Sequence, residues 1–261
     1  MDYIISGVTD AGISRKVNQD AFCIRRYRSS AGPVVLAVLA DGMGGLSQGE
    51  LASASMVSAM KKWADERLKA LASGEIHLDT VRSEWESLLH GLNAKILEFG
   101  AKTGSSLGTT VVAILFAGTR FLAVNIGDSR IYEISDSLRL LTRDQSFVMH
   151  EVEMGRLTPE QAEKDPRRSI LLQCVGGAGD DVYPEFTEGE IKEDAVYMLC
   201  SDGFRHEVHP EEIFENLKAS RMNTAEEMRT QLKTLIRLNK ERNEKDNITA
   251  AAIRTFSGGS R

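Results

Sequence analysis

The chain has 261 residues, 42% of them hydrophobic and 27% charged, the balance of a globular protein that can bury a large core without covalent staples. Its net charge of −6 speaks against nucleic acid as the main partner, because a phosphate backbone asks for a basic face. Three scattered cysteines, Cys23, Cys174 and Cys200, form no CxxC pair, which excludes a disulfide framework or a thiolate metal site and points to a reducing compartment.

In chain order, residues 3–8 predict a short strand, 9–20 a polar segment (TDAGISRKVNQD) and 21–27 a second strand. Residues 34–40, VVLAVLA, are a continuous apolar run of the kind that forms a strand buried on both faces. The run stops at Asp41, and Gly42, Met43, Gly44 and Gly45 follow. An amphipathic helix is expected over 49–72, with Leu51, Ala54, Val57, Met60, Ala64, Leu68 and Leu71 on its apolar face. Asp79 is placed to cap a second helix running to about Lys102, with Val81, Trp85, Leu89, Ile96 and Phe99 in its stripe.

Residues 105–110 carry a Gly-Thr-Thr turn into a hairpin of strands at 111–116 and 121–126, and a second hairpin covers 131–142. The stretch at about 144–175 is polar and charged, with a capping box at Thr158-Pro159-Glu160-Gln161, and such an excursion between strands predicts a flap. Strands at 183–187 and 196–200, helices opening at Pro210 and Thr224, and a strand at 248–255 complete the order. Runs of strands with helices in adjacent pairs define an α+β architecture and not alternating βαβ units. No linker composition interrupts it, so residues 1–256 are expected to form one domain, followed by a short polar tail at 257–261. The N-terminus shows no signal-peptide pattern and no run is long enough for a membrane span, so a soluble, cytoplasmic protein is expected, its oligomeric state open.

Three apolar strands each end in an Asp beside a Gly: Asp41-Gly42, Gly127-Asp128 and Asp202-Gly203. Any one of them reads as an ordinary turn. Together with Asp20 and Asp246 they make a set of carboxylates at strand ends with no His or Cys among them, which suits Mg²⁺ or Mn²⁺ and not zinc or copper. Converging carboxylates repel one another and are driven to protonate unless cations neutralise them. Two ions about 3.5–4 Å apart would do so and would generate a nucleophile near neutral pH. Arg15, five residues before Asp20, offers the forked donors that match a phosphate; alone it reads as a surface residue, and beside a hard-metal centre it implies phosphoryl chemistry. His77 and His90 are expected to be solvated, His150 to lie in the flap, and His206 and His209 to serve a helix start.

Arg15-x-x-Asn18-Gln19-Asp20, Asp41-Gly42-Met43-Gly44-Gly45, Gly108-Thr109-Thr110, Gly127-Asp128-Ser129-Arg130, Ser201-Asp202-Gly203 and Asp246-Asn247-Ile248-Thr249 occur in this order. In that order they resemble the metal-dependent protein phosphatase family (PPM, or type 2C) in its compact bacterial form. The resemblance covers essentially the whole chain, including a flap-like GRLTPEQA at 155–162. It implies a β-sandwich of two antiparallel sheets flanked by helix pairs, with a dinuclear Mn²⁺/Mg²⁺ site at one end. Carried over by position, Asp41 would bridge both metals with the Gly42 carbonyl on one, and Asp202 and Asp246 would serve the first metal. Asp20 would hold the second through water, and Asp128 with Asp202 a third, weaker ion.

Arg15 would bind the substrate phosphate, and a metal-bridging hydroxide would attack phosphorus without a phosphoenzyme. The implied partners are Ser/Thr-phosphorylated proteins made by a kinase of the same cell. Two departures stand out. Met43 occupies a place where many eukaryotic relatives carry a candidate acid His, and Gln145 stands in Asp144-Gln145-Ser146 where the family often has a His that looks structural. A catalytically dead phosphoprotein-binding module and a phosphatase of small phosphoesters are the competing readings. Retention of every expected Asp speaks against the first, and Arg15 with the flap tilts against the second.

Overall fold

The computed structural model describes residues 1–44, 48–177 and 181–257; Gly45 and the last four residues of the expected tail lie outside the described residues. The strands are β1 (Asp2–Asp10), β2 (Asp20–Tyr27) and β3 (Val34–Gly44), followed by helices α1 (Gln48–Ser73) and α2 (Leu78–Thr103). Then come β4 (Leu107–Thr109), β5 (Val111–Ala117), β6 (Arg120–Ile126), β7 (Arg130–Ile134) and β8 (Leu138–Leu140). Helices α3 (Phe147–Glu153) and α4 (Pro159–Lys164) occupy the flap region, and β9 (Glu185–Glu190) and β10 (Val196–Cys200) follow. The chain continues with α5 (Asp202–Arg205), α6 (Pro210–Leu217), α7 (Ala225–Glu241) and β11 (Ile248–Phe256).

The strands form two antiparallel sheets, one ordered β1-β11-β10-β7-β8 and the other β2-β3-β5-β6-β9 with β4 on β3. The expected α+β sandwich is therefore present. Strand β3 shows why its sequence is apolar without a break. Val34, Leu36, Val38 and Ala40 point outward into the layer of α1 and α2. Val35, Ala37 and Leu39 point inward and meet Ile114, Phe116, Tyr197, Leu199 and Ile253 between the sheets. With both faces covered, alternation has no polar side to show.

The outer face of the first sheet is covered by α6 and α7, where Ile213, Leu217, Met228, Leu232 and Leu235 pack on Val196, Met198, Ala250 and Ala252. Four layers result: helices, sheet, sheet, helices.

Local details depart from the sequence pattern. Leu51 and Phe99, both expected on apolar stripes, are exposed, while Ala52, Ser53, Met56 and Trp63 turn inward, so the buried stripe of α1 is rotated from the expected one over its first turns. Asp79 is not the cap of α2: His77 takes that position and Asp79 lies in the first turn, where its charge favours the helix dipole. Gly108 and Thr109 of the Gly-Thr-Thr segment pair with Met43 and Gly42 as part of β4, a strand and not a turn, with Thr110 just outside it, and β9 runs two to three residues later than expected. The capping box of α4 forms as written, Thr158 Oγ1 accepting from the Gln161 N–H and the Gln161 side chain from the Thr158 N–H. Among the described residues no helix is long and apolar enough to cross a membrane, and all three cysteines are free.

Candidate metal and phosphate site

Antiparallel pairing of β2 with β3 sets Asp20 directly opposite Asp41. Pairing of β10 with β11 brings Ser201, just before Asp202, beside Thr249, three residues after Asp246. Asp128 sits on the crossing from β6 in one sheet to β7 in the other. The candidate acids thus come from both sheets and meet at one end of the sandwich.

The backbone of Asp41 is clamped. Its N–H donates to Thr110 Oγ1 (3.0 Å), and its carbonyl accepts from the Thr110 N–H (2.9 Å) and Thr109 Oγ1 (3.0 Å). The next N–H, of Gly42, donates to the Gln19 carbonyl at 3.1 Å. A Cβ at Gly42 would stand 2.1 Å from the Gly49 carbonyl oxygen, so only glycine lets α1 come this close. Thr110 Oγ1 also pairs with Ser129 Oγ at 2.8 Å, which ties Asp41 to the Asp128 turn. Gly127 holds φ +107, and a side chain there would strike Thr110.

Asp20 Oδ2 accepts from Ser201 Oγ (2.9 Å), while its Oδ1 is buried without a partner. Asp202 Oδ1 is likewise buried and unpartnered. Orphaned buried carboxylate oxygens are costly and call for a cation. Burial pushes Asp20 up to about 7, with Asp202 and Asp246 adding repulsion and the Thr249 and Ser201 hydroxyls opposing it. Asp41 is held well above the usual carboxylate range, first by desolvation and then by Asp20, Asp202, Asp128 and Asp246. These are the signs of an acidic cluster built to be neutralised from outside.

Arg15 makes a two-pronged ion pair with Asp246, Nε to Oδ1 at 3.1 Å and Nη2 to Oδ2 at 2.8 Å. The side chain of Arg15 is 52% exposed, so its fork remains within reach of solvent. Its loop is fastened by Asn247, whose Oδ1 accepts from the Gln19 N–H (2.8 Å) and whose Nδ2 donates to the Ala11 and Val17 carbonyls.

Two contributors, His206 and Arg205, play parts the sequence did not assign them, and a third, Gln145, stood out there only as a departure from the family pattern. His206, expected to serve the α6 start, instead lies between Asp202 (Nε2 to Oδ2, 3.5 Å) and the buried Glu244 (Nδ1 to Oε2, 3.3 Å). His209 does hold the α6 N-cap position, with Glu212 accepting from its N–H. Arg205 places Nη2 3.8 Å from Asp128 Oδ2 and 3.3 Å from both the Asp128 carbonyl and Asp144 Oδ2. Burial and the nearby Asp202 push Asp128 up to about 7 despite this guanidinium. Gln145 braces the same turn: its Oε1 accepts from the Gly127 N–H (2.9 Å) and its Nε2 donates to the Tyr183 carbonyl (3.0 Å). The contacts of Arg205 with Asp128 and Asp144 and of His206 with Glu244 join residues distant in sequence, whereas His206 and Asp202 are one helical turn apart.

Among the described residues no three His, Cys, Asp or Glu side chains are closed around a single ion position. The donors nonetheless fit hard divalent cations, which keep several waters and take only a few protein oxygens.

The arrangement is that of a sandwich phosphohydrolase. The catalytic domain of serine threonine protein phosphatase PstP, solved with two manganese ions, superposes with a TM-score of 0.78 at 30% identity, over 98% of this chain and 100% of that one. The Protein phosphatase 2C model matches residues 12–237, and the chain belongs to that family. Protein phosphatase PhpP of Streptococcus pneumoniae is 31% identical over 255 residues, 95% of this chain and 96% of PhpP. Serine/threonine protein phosphatase PstP of Mycobacterium tuberculosis is 35% identical over 219 residues, 80% of this chain but 38% of PstP, so the chain spans well under half of that relative.

Proposed function

We propose that this chain is a metal-dependent phosphatase that removes phosphate from phosphoserine and phosphothreonine in proteins. It would act in the cytoplasm on the products of a Ser/Thr kinase of the same cell. The observation that carries the reading is the end of the sandwich where Asp20, Asp41, Asp202 and Asp246 converge beside Arg15, with Asp20 Oδ1 and Asp202 Oδ1 buried and unpartnered. The phosphatases PhpP and PstP and the manganese-bound PstP domain support it.

Asp41 and the Gly42 carbonyl, with Asp20, Asp202 and Asp246, would hold two Mn²⁺ or Mg²⁺ ions, and Asp128 with Asp202 a weaker third. Such cations supply charge neutralisation and a water acidic enough to be the nucleophile near neutral pH. Thr109 and Thr110 fix Asp41, and Gln19 its neighbour Gly42, in advance, which limits reorganisation during reaction. Arg15 exchanges Asp246 for two phosphate oxygens and orients the phosphorus. His206 and Arg205 orient Asp202 and Asp128 from the protein side. Met43 carries no transferable proton, so the departing serine or threonine oxygen takes its proton from water. Residues 1–256 form the catalytic domain in this reading, and 144–175 its flap.

The test is phosphate release from a phosphothreonine peptide by metal-stripped protein, with and without Mn²⁺. Turnover that depends on added metal and is lost in Asp41→Asn is expected. Full turnover after exhaustive metal removal overturns the proposal.

A further inference from the structure

Away from the acidic end, helix α7 buries Met228, Leu232, Leu235 and Ile236 against the first sheet. Along one edge it carries Arg229, Lys233, Arg237 and Lys240 at helical spacing, a single cationic stripe on a chain of net charge −6. This stripe walls an open cleft of about 670 Å³ whose other side is β1 from Gly7 to Asp10, with Phe22 among its apolar lining. The cleft lies where the sandwich is open, since β1 and β2 are edge strands of the two sheets.

The charges are unevenly satisfied. Lys240 reaches both oxygens of Asp10 at 3.0 Å, and Arg237 stands 3.7 Å from Glu241. Arg229 and Lys233 are exposed and have no ion-pair or hydrogen-bond partner among the described residues. The cleft also connects to the acidic end. Asp10 Oδ1, held by Lys240, accepts from the Gly12 N–H (2.8 Å), and Gly12 lies so close to the Asp246 carbonyl that a Cβ would stand 2.2 Å from it. Gly12 opens the loop that carries Arg15.

We propose that this cleft docks an acidic segment of the phosphoprotein substrate, led from the phosphorylated residue at Arg15 along β1 towards Lys233 and Arg229. The inference rests on the phosphatase reading and adds a substrate preference to it. Arg229 and Lys240 are eleven residues apart on α7, roughly 16 Å at 1.5 Å per residue, a span that about five extended residues cover. Charge on that segment complements the stripe, and its apolar side chains meet Phe22 and Ile236. Exposed charges of this kind act on encounter and orientation, so the docking weakens with salt.

The test compares wild type with Arg229→Glu/Lys233→Glu on three substrates under Mn²⁺: a phosphothreonine peptide flanked by five acidic residues on either side in turn, its glutamine-flanked twin, and p-nitrophenyl phosphate. One acidic peptide should show a KM raised about tenfold with kcat kept, while the glutamine peptide and the aryl phosphate change less than twofold. In parallel, a fluorescent acidic peptide without phosphate should bind wild type saturably at low salt and the variant several-fold more weakly. Should charge reversal disturb folding, Arg229→Gln/Lys233→Gln should give the same direction with a smaller shift. Equal shifts for acidic and glutamine peptides, or unchanged peptide binding, overturn the proposal. If no substrate is turned over at all, the phosphatase reading fails, and the binding measurement still decides the cleft.

Discussion

Replacing Arg15 by Ala should move metal binding and substrate binding in opposite directions. Arg15 and Asp246 form a two-pronged pair, with side chains 52% and 34% exposed. A pair this open to solvent contributes on the order of 0.2–1 kcal/mol. Any cation that uses Asp246 must displace the guanidinium and tolerate its charge nearby. Removing Arg15 should therefore tighten Mn²⁺ binding by roughly 1.5- to 5-fold. Phosphate loses a charged fork worth about 1.5–3 kcal/mol, so KM for a phosphothreonine peptide should rise roughly 10- to 150-fold. Arg15→Lys should recover little of this, since an ammonium cannot reproduce the planar fork. Titration calorimetry with Mn²⁺ on metal-stripped protein reads the first effect and steady-state kinetics the second. Unchanged or weaker Mn²⁺ binding in Arg15→Ala would refute the competition between guanidinium and metal, and an unchanged KM would refute the phosphate role.

Asp41→Asn and Asp202→Asn should each nearly abolish turnover while raising the Tm of the metal-free protein, by about 2–4 °C for every kcal/mol of repulsion relieved; folded variants within a few-fold of wild-type turnover would remove both residues from the metal site. Asp20 and Asp128 stand near 7 in the fold against a starting value of 3.8, so the folded state keeps protons that the unfolded chain releases. Metal-free stability should therefore fall as pH climbs from about 4 to about 7, and saturating Mn²⁺ should remove most of that slope; thermal melts across pH, with and without Mn²⁺, check it. Asp128→Ala should slow phosphothreonine peptides much more than p-nitrophenyl phosphate, because a poor alkoxide leaving group needs a proton and an aryl oxide does not. Equal fractional losses on one folded, metal-analysed sample would reduce Asp128 to a turn residue.

Asp41, Asp128 and Asp202 were legible as candidates because apolar strands stop at them, and Asp20 and Asp246, which stand at or just before the starts of β2 and β11, gained meaning only beside those three. A short, β-branched run such as VVLAVLA fits a strand covered on both faces, and a carboxylate at its end has to be satisfied by something outside the strand. Capping at Thr158 was legible for a similar reason, since a local pattern serves a local need. The contacts of Arg205, His206 and Gln145 were not legible. Arg205 reaches Asp128, 77 residues away, His206 reaches Glu244, 38 away, and Gln145 reaches Gly127, 18 away, pairings that only the closed sandwich makes, while the second partner of His206, Asp202, lies one helical turn back. The rotation of the α1 stripe had a different source. Ala52 and Ser53 turn inward because small residues let the helix approach β2 and β3, a preference that a hydrophobicity count scores below Leu51. Likewise β4 looked like a turn because its Gly and Thr content suits one, whereas pairing with Gly42–Gly44 decided its conformation.

Asp20 and Asp41 belong to one sheet, and Asp202 and Asp246 flank strands of the other. No fragment containing a single sheet holds the set, and its first and last members are separated by nearly the whole sequence. On the assignment proposed above, the chain therefore lacks the complete acidic set during synthesis until Asp246 has been made and β11 has threaded between β1 and β10. An ion that binds only this finished arrangement lowers the free energy of the native state alone. On the metal-dependent reading proposed above, metal supply would act on how long each new molecule survives as well as on how fast it works.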